Sequence, residues 1–107
     1  MKTLGESIRL HRRAKNLLIR QVAAELGVDP SLLSRIERGD KQPTRAQVLQ
    51  LSELLESDKK EFLILFLSGK MVSILRAEAP ALEAIALAER QLTSLAVQDY
   101  NQAQRAF

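Results

Sequence analysis

The stretch that most constrains the fold is residues 22–39, VAAELGVDPSLLSRIERG, which contains two short helical patterns separated by a glycine. Gly27 directly follows Leu26, and a glycine in the left-handed backbone conformation is a common way to end a helix abruptly. Asp29 can then cap a second helix, and Pro30 suits its first position because no N–H group is needed there. The sequence therefore predicts one helix that ends at Leu26 and another that begins at Pro30.

The side chains of these two helices divide into an inner and an outer set. Helices that cross steeply over a short turn need a small residue where they meet, and Ala23 supplies it. Apolar residues recur at spacings that place them on facing sides of the two helices, namely Val22, Leu26, Val28, Leu33 and Ile36. Polar residues are left facing outward, namely Ser31, Ser34, Arg35 and Arg38. This arrangement is typical of a helix-turn-helix motif.

Residues 8–55 resemble the lambda-repressor-like, or XRE-type, helix-turn-helix DNA-binding family. The residues that carry the resemblance are Ile8, Arg12 and Leu17, then Val22, Ala23, Leu26, Gly27 and Val28, then Ser31 and Leu33 through Gly39, and finally Pro43 and Thr44. The resemblance implies an all-α domain that binds double-stranded DNA. It also implies a structural ion pair between Arg12 and Glu37 that links the first helix to the end of the third.

Three positions depart from the pattern of that family. Its second helix often opens with a Ser or Thr cap followed by a Gln that touches phosphate, but Leu18 and Ile19 occupy these places here. Pro30 stands where many members have a base-reading Gln, and it offers no donor of any kind. Asn16 replaces the usual glycine after the first helix, although asparagine also tolerates the left-handed conformation. Base reading must therefore fall to other residues.

The outward side chains of the motif give a set of expected DNA contacts. We expect contacts to base edges from Ser31, Leu32, Ser34 and Arg35, and contacts to phosphates from Arg38, Lys41, Gln42 and Arg45. Arg35 can form a bidentate pair with guanine, worth ~1 to 3 kcal/mol of discrimination, and the alternative is an ordinary solvated arginine. Leu32 suits either a thymine methyl group or a position that covers the backbone.

Charge is distributed unevenly along the chain. Residues 1–50 contain ten basic and five acidic residues, whereas residues 51–107 contain six and eight. A basic first half is expected where a protein contacts phosphate, although small helical proteins also carry uneven charge without binding nucleic acid.

Helical patterns continue through the remainder of the chain. We expect helices over about 3–15, 19–26 and 30–38, then one capped by Thr44, one from Ser57 or Asp58 toward Arg76, and one from near Pro80 to at least Leu95 with a polar, fraying tail. The expected fold is all-α, a five-helix repressor-like DNA-binding domain with an additional C-terminal helix that forms a dimerisation or cover layer. Residues 1–56 would form the helix-turn-helix domain and residues 57–107 a C-terminal extension that dimerises.

The segment from Phe62 to Leu75, FLILFLSGKMVSIL, is more apolar than one buried face of a helix requires. One side would pack on the DNA-binding domain, and the other on the last helix or on a second chain. The candidates for a dimer interface are Phe62, Leu63, Phe66, Leu67, Met71, Ile74 and Leu75. A monomeric core is the alternative, and the choice between the fifth and sixth helices as the interface stays open.

Several classes of function find no support in the sequence. The chain has no cysteine and one histidine, His11, so we expect no metal site, and its serines lack a base at any catalytic spacing. No glycine-rich phosphate loop is present, and the longest apolar run, residues 62–67, is far shorter than the ~20 residues that cross a bilayer. We expect no enzymatic activity and no cofactor, the sequence makes no small-molecule ligand evident, and we expect a cytoplasmic location.

Two functions of different classes follow from these observations. The first is a sequence-specific transcriptional regulator of prokaryotic or phage type that binds an inverted repeat as a homodimer, with a restriction–modification controller as one form. The second is the antitoxin of a toxin–antitoxin pair, in which the residues beyond about 57 mask a partner protein and DNA binding serves autoregulation.

Overall fold

The computed structural model describes residues 2–105, which form six α-helices and no strand. The helices are α1 (Leu4–Ala14), α2 (Ile19–Leu26), α3 (Pro30–Arg38), α4 (Arg45–Leu54), α5 (Lys59–Leu75) and α6 (Ala81–Arg105). The predicted all-α fold is confirmed, and α2 and α3 have the predicted bounds. One expectation was wrong, because the residues after Leu95 continue α6 as far as Arg105 instead of fraying; residues 106 and 107 lie outside the described part.

Polar side chains begin most of the helices. Thr3 caps α1 by accepting a hydrogen bond from the Glu6 N–H, and Asp29 caps α3 by accepting one from the Ser31 N–H. At α4, Thr44 accepts from the Gln47 N–H while the Gln47 side chain accepts from the Thr44 N–H. These reciprocal bonds satisfy donors that the first turn of a helix otherwise leaves free.

The first four helices all end in the same way. After each one, a single residue adopts a positive φ angle, and the N–H of the next residue donates to a carbonyl five positions earlier. The residues concerned are Asn16, Gly27, Gly39 and Glu56. Two are the glycines of the motif, and Asn16 takes the left-handed conformation (φ 57°) that its replacement of glycine requires. Glu56 (φ 51°) is neither a glycine nor an asparagine, so it adopts the left-handed conformation at a steric cost.

A single core joins α1 to α4 and the first half of α5 within the compact unit Met1–Ser73. In this unit α1 packs on α3, and α2 packs on both α3 and α4. The buried apolar residues are Leu4, Ile8, Val22, Ala23, Leu26, Leu33, Ile36, Val48, Leu51, Leu55, Phe62 and Phe66. The fifth helix is therefore part of the same core as the helix-turn-helix motif.

The crossing of α1 and α3 depends on a glycine. A Cβ atom on Gly5 would lie 2.5 Å from the carbonyl oxygens of both Ile36 and Glu37, so any side chain here would strike the backbone of α3. Gly5 thus allows α1 to approach close to the C-terminal end of α3.

The second unit, Ile74–Phe107, contains α6. None of the described residues of α6 is buried, although it carries several large apolar side chains, namely Leu82, Ile85, Leu87, Leu92, Leu95, Val97 and Tyr100. Among the described residues, no helix is both long and apolar enough to cross a membrane.

Candidate nucleic-acid interface

The second helix of the motif, α3, presents one face to the core and one to solvent. Leu33, Ile36 and Glu37 are buried, while Ser31 and Arg35 are exposed on the other side. The local sequence produces this division because buried positions three and four apart share a face of a helix. An exposed helical face of this kind is what enters a DNA major groove in helix-turn-helix proteins.

Ser31 lies at the start of α3 and is held by the cap. Asp29 Oδ1 accepts hydrogen bonds from the Ser31 N–H (3.0 Å) and from the Ser31 hydroxyl (3.1 Å). The hydroxyl proton is thereby directed toward Asp29, while the oxygen remains free to accept. Ser31 is therefore better suited to accept a hydrogen bond from a base than to donate one.

Arg35 is an exposed residue of α3 whose charged group has no partner among the described side chains. Its guanidinium forms no hydrogen bond or ion pair with any other side chain in residues 2–105. It can therefore use its fork of donors for the O6 and N7 atoms of guanine without first breaking a contact.

Ser34 and Arg38 are joined in a small network on the surface. The Arg38 Nη1 group donates to the Ser34 hydroxyl (2.9 Å), and Arg38 Nε donates to Asp40 Oδ2 (3.2 Å). Sequence reasoning placed Ser34 among base contacts and Arg38 among phosphate contacts, but it overlooked Asp40. Because the Arg38–Asp40 pair is exposed, it contributes only ~0 to 1 kcal/mol, and a phosphate can displace the carboxylate.

The remaining predicted contacts divide between α3 and the segment that leads to α4. Leu32 is half-buried and packs partly against the core, which favours the backbone-covering role that we considered for it. Lys41 and Gln42 are exposed in the loop after α3, and Arg45 is exposed in the first turn of α4. Their positions beside the end of α3 are compatible with contacts to phosphates that flank the groove.

The N-terminus of α2 differs from the polar start that this kind of domain often has. Leu18 provides no side-chain cap, but the Gln21 side chain accepts a hydrogen bond from the Leu18 N–H (2.8 Å). The Leu18 side chain is half exposed. A phosphate contact from this position would have to use backbone N–H groups alone.

Arg12 and Glu37 form a buried, two-pronged ion pair between α1 and α3. Arg12 Nε and Nη2 donate to the two carboxylate oxygens of Glu37 at 2.7 and 3.0 Å, and Nη1 donates to the Leu17 carbonyl at 2.8 Å. The hydrogen bond to Glu37 raises the pKa of Arg12 above its ordinary value, although burial opposes the shift. Since that ordinary value is already far above neutral, Arg12 keeps its charge, and the stability that the shift contributes is lost only as the pH rises from the ordinary pKa through the raised one.

The predicted dimer residues occupy two different environments. Phe62 and Phe66 are buried in the core, so they are not available to a second chain. This removes two of the seven candidates. The large apolar residues exposed on α5 are Ile64, Leu67, Met71, Val72 and Ile74, while Leu63 and Leu75 are half-buried. The sequence did not indicate that Ile64 and Val72 are exposed, because a run that is apolar all round does not reveal which side faces the core.

His11 has a structural environment. Its Nδ1 lies 2.8 Å from the Ser7 carbonyl, and its ring meets the edge of Phe62 with 5.5 Å between centroids. The described residues contain no group of three or more His, Cys, Asp or Glu side chains that could hold a metal ion.

Comparison with known proteins agrees with the geometry of the motif. Residues 3–62 match the model of a helix-turn-helix domain family, which covers more than half of the chain, and the chain belongs to that family. A solved structure with a similar fold is that of the clp gene regulator ClgR from Corynebacterium glutamicum. The two chains are 23% identical, with a TM-score of 0.54 over 92% of this chain and 88% of the other. No curated protein matches in sequence.

Proposed function

We propose that this chain is a cytoplasmic transcriptional regulator that binds specific double-stranded DNA through α3. The observation that carries the proposal is the exposed face of α3, where Arg35 is free of other side-chain partners within a helix-turn-helix domain. The excess of basic residues in the first half of the chain supports it, since attraction to phosphate provides much of the affinity for DNA. The similarity of the fold to that of a gene regulator also supports this proposal.

The proposed contacts divide into those that read sequence and those that set position. Arg35 reads a guanine, and Ser31 accepts a hydrogen bond from a neighbouring base edge. Arg38, Lys41, Gln42 and Arg45 bind phosphates and fix how α3 lies in the groove. Ser34 contributes by holding Arg38, which is a more limited role than direct reading.

We further propose that the regulator acts as a homodimer on an inverted repeat. Helix-turn-helix dimers place two recognition helices ~34 Å apart, one turn of DNA, and therefore need a self-complementary surface away from α3. The exposed apolar side chains of α5, including Leu67 and Met71, favour such a surface. A short, all-helical regulator of this kind is compatible with a restriction–modification controller.

Selection of bound sequences from a random duplex library, followed by a salt titration of the selected site, tests the proposal. A palindromic site should emerge, and its binding constant should fall steeply as salt increases because phosphate contacts release counterions. Recovery of no palindrome together with affinity insensitive to salt would remove the proposal.

The same exposed apolar residues also favour the antitoxin alternative. In that case α5 and α6 would bind a different protein, and the chain alone would be a monomer that leaves Leu67 and Met71 in solvent. The mass of the purified chain in solution separates the two functions, since a homodimer supports the regulator and a monomer supports the antitoxin.

A further inference from the structure

A groove of about 390 Å³ lies beside the proposed DNA interface, within the unit Met1–Ser73. It is bounded by the start of α1, the end of α3, the loop that contains Lys41 and Gln42, and one face of α5. Its volume falls within the ~300 to 1,000 Å³ that small-molecule sites occupy. The groove is a second feature of the domain, distinct from the exposed face of α3.

The floor of the groove is apolar. Its apolar lining residues are Leu4, Ile36 and Pro43 on one side and Leu65 and Val72 of α5 on the other. An apolar chain that enters it would remove apolar surface from water, which contributes roughly 25 cal/mol for each Å² buried. The groove therefore favours a ligand with an aliphatic body.

Gly69 of α5 is one of the residues that line the groove. A Cβ atom built on Gly69 would meet no atom within 4 Å, so no contact inside the chain requires a glycine there. Glycine in the interior of a helix destabilises it by about 0.5 to 1 kcal/mol relative to alanine. Gly5, which also lines the groove, is by contrast required by the backbone of α3. The absence of a side chain at Gly69 thus has a cost that the isolated domain does not explain.

Two lysines line the groove, Lys2 and Lys41, and one of them is free to bind an anion. Lys41 forms no ion pair with another described residue, and Lys2 lies 3.6 Å from the exposed carboxylate of Glu61. An apolar floor with a free ammonium group at its edge complements a molecule that has an aliphatic chain and one carboxylate.

We propose that this groove binds an aliphatic carboxylate, with its chain between Leu65 and Pro43 and its carboxylate at Lys41. Lys41 is also one of the residues proposed above to bind DNA phosphate. The effect on DNA rests on that proposed function, because a carboxylate paired with Lys41 removes one cation from the DNA interface. The ligand then weakens binding to the operator.

Binding to the groove is tested first, without DNA, by titrating octanoate into the ¹⁵N-labelled full chain and following its amide resonances. Shifts should concentrate at groove residues such as Gly69, Val72 and Lys41. Octanol has the aliphatic tail of octanoate without its charge, and acetate has the charge without the long tail. Both should therefore bind at least about tenfold more weakly than octanoate. Equal binding of octanol, or shifts spread over the exposed face of α6, would overturn the proposal.

Filling the groove is the second test. Gly69→Leu should weaken octanoate binding at least about tenfold, whereas Lys60→Leu adds the same side chain at an exposed position outside the groove and should leave it unchanged. If Gly69→Leu loses its helical circular dichroism, Ser68→Leu fills the same groove from the neighbouring residue. Octanoate binding that persists in the folded filled variant would overturn the site.

The effect on DNA is measured separately by fluorescence anisotropy with the selected duplex. Octanoate should lower the affinity of the unmodified protein and have no effect on Gly69→Leu. An equal effect on both proteins would overturn the coupling. If the chain binds no DNA at all, the proposed function fails, while the titration without DNA still decides whether the groove is a site.

Discussion

At the scale of single residues, the pair between Arg12 and Glu37 illustrates how one contact supports a whole domain. Its two hydrogen bonds join residues 25 positions apart, and both side chains are almost entirely buried. A buried ion pair adds little net stability because desolvation offsets the attraction, but the loss of one partner leaves the other charge stranded. The pair therefore matters more for the consequences of its loss than for the energy of its formation.

Replacement of Arg12 by alanine should destabilise the domain by ~3 to 5 kcal/mol, because Glu37 would remain buried without its partner. Urea denaturation followed by circular dichroism measures this change. Arg13→Ala is the matched control, since Arg13 lies next in the helix and is exposed. DNA binding of Arg12→Ala should recover at low temperature, where the folded fraction is restored. An unfolding curve unchanged from the parent would contradict the structural role.

Glu56 provides a second prediction, based on the backbone. Its positive φ angle costs a residue with a Cβ atom about 1 to 2 kcal/mol, so Glu56→Gly should raise the free energy of unfolding by about 1 kcal/mol relative to Glu56→Gln. Both variants lose the ion pair between Glu56 and Lys15 (3.0 Å). The loss is therefore the same in both, and it is small because the Glu56 side chain is largely exposed. Comparison of the two melting curves isolates the backbone effect, and a glycine variant less stable than the glutamine variant would disprove it.

At the scale of helices, Gly5 and Gly69 differ in whether the surrounding structure has room for a side chain. Gly5→Ala should destabilise the domain by at least ~1 kcal/mol, because the added methyl group meets two backbone carbonyls of α3 that cannot move independently. Gly69→Ala, the matched control, should stabilise α5 by about 0.5 to 1 kcal/mol since its Cβ atom meets open space. Thermal unfolding of both variants tests the pair of expectations. Stabilisation of both variants would show that helix propensity, and not the α1–α3 crossing, decides the outcome.

The recognition helix and the loop that follows it should respond differently to mutation. Arg35→Ala should cost ~1 to 3 kcal/mol on the selected site and relax the preference at one base pair. Lys41→Ala should weaken binding to all duplexes alike and reduce the slope of the salt dependence by about one. Anisotropy titrations with the selected site and with a single-base variant distinguish these effects. If Arg35→Ala weakened both duplexes equally, Arg35 would be a phosphate contact.

At the scale of the whole molecule, the exposed apolar residues of α5 offer a surface that a second chain can cover. In a dimer, Leu67→Glu places a charge in the interface and should raise the dimer dissociation constant at least about tenfold. Leu10→Glu is a suitable control because Leu10 lies on α1 and is exposed to a similar degree, 56% against 54% for Leu67. Light scattering across a concentration series gives the masses. An equal response of both variants would show that Leu67 lies outside the interface.

Local signals in the sequence predicted much of the fold and part of the candidate site. Gly27, Asp29 and Pro30 fixed the turn between α2 and α3 because their backbone preferences act within a few residues. Thr44 located the start of α4 for the same reason. The pairing of Arg38 with Asp40 was missed because a surface pair two residues apart leaves no periodic pattern.

The sequence by itself determined the bounds of α2 and α3 and the exposed positions of Ser31, Arg35 and Arg38 on α3, since caps, glycines and helical periodicity are local properties of the chain. Only the tertiary structure decided that Phe62 and Phe66 enter the core while Leu67 stays outside, because α5 is apolar on all sides and its periodicity selects no face. The crossing at Gly5 and the open groove beside Gly69 likewise arise where segments distant in sequence meet. Their steric fit depends on the packing of whole helices, which no local preference specifies.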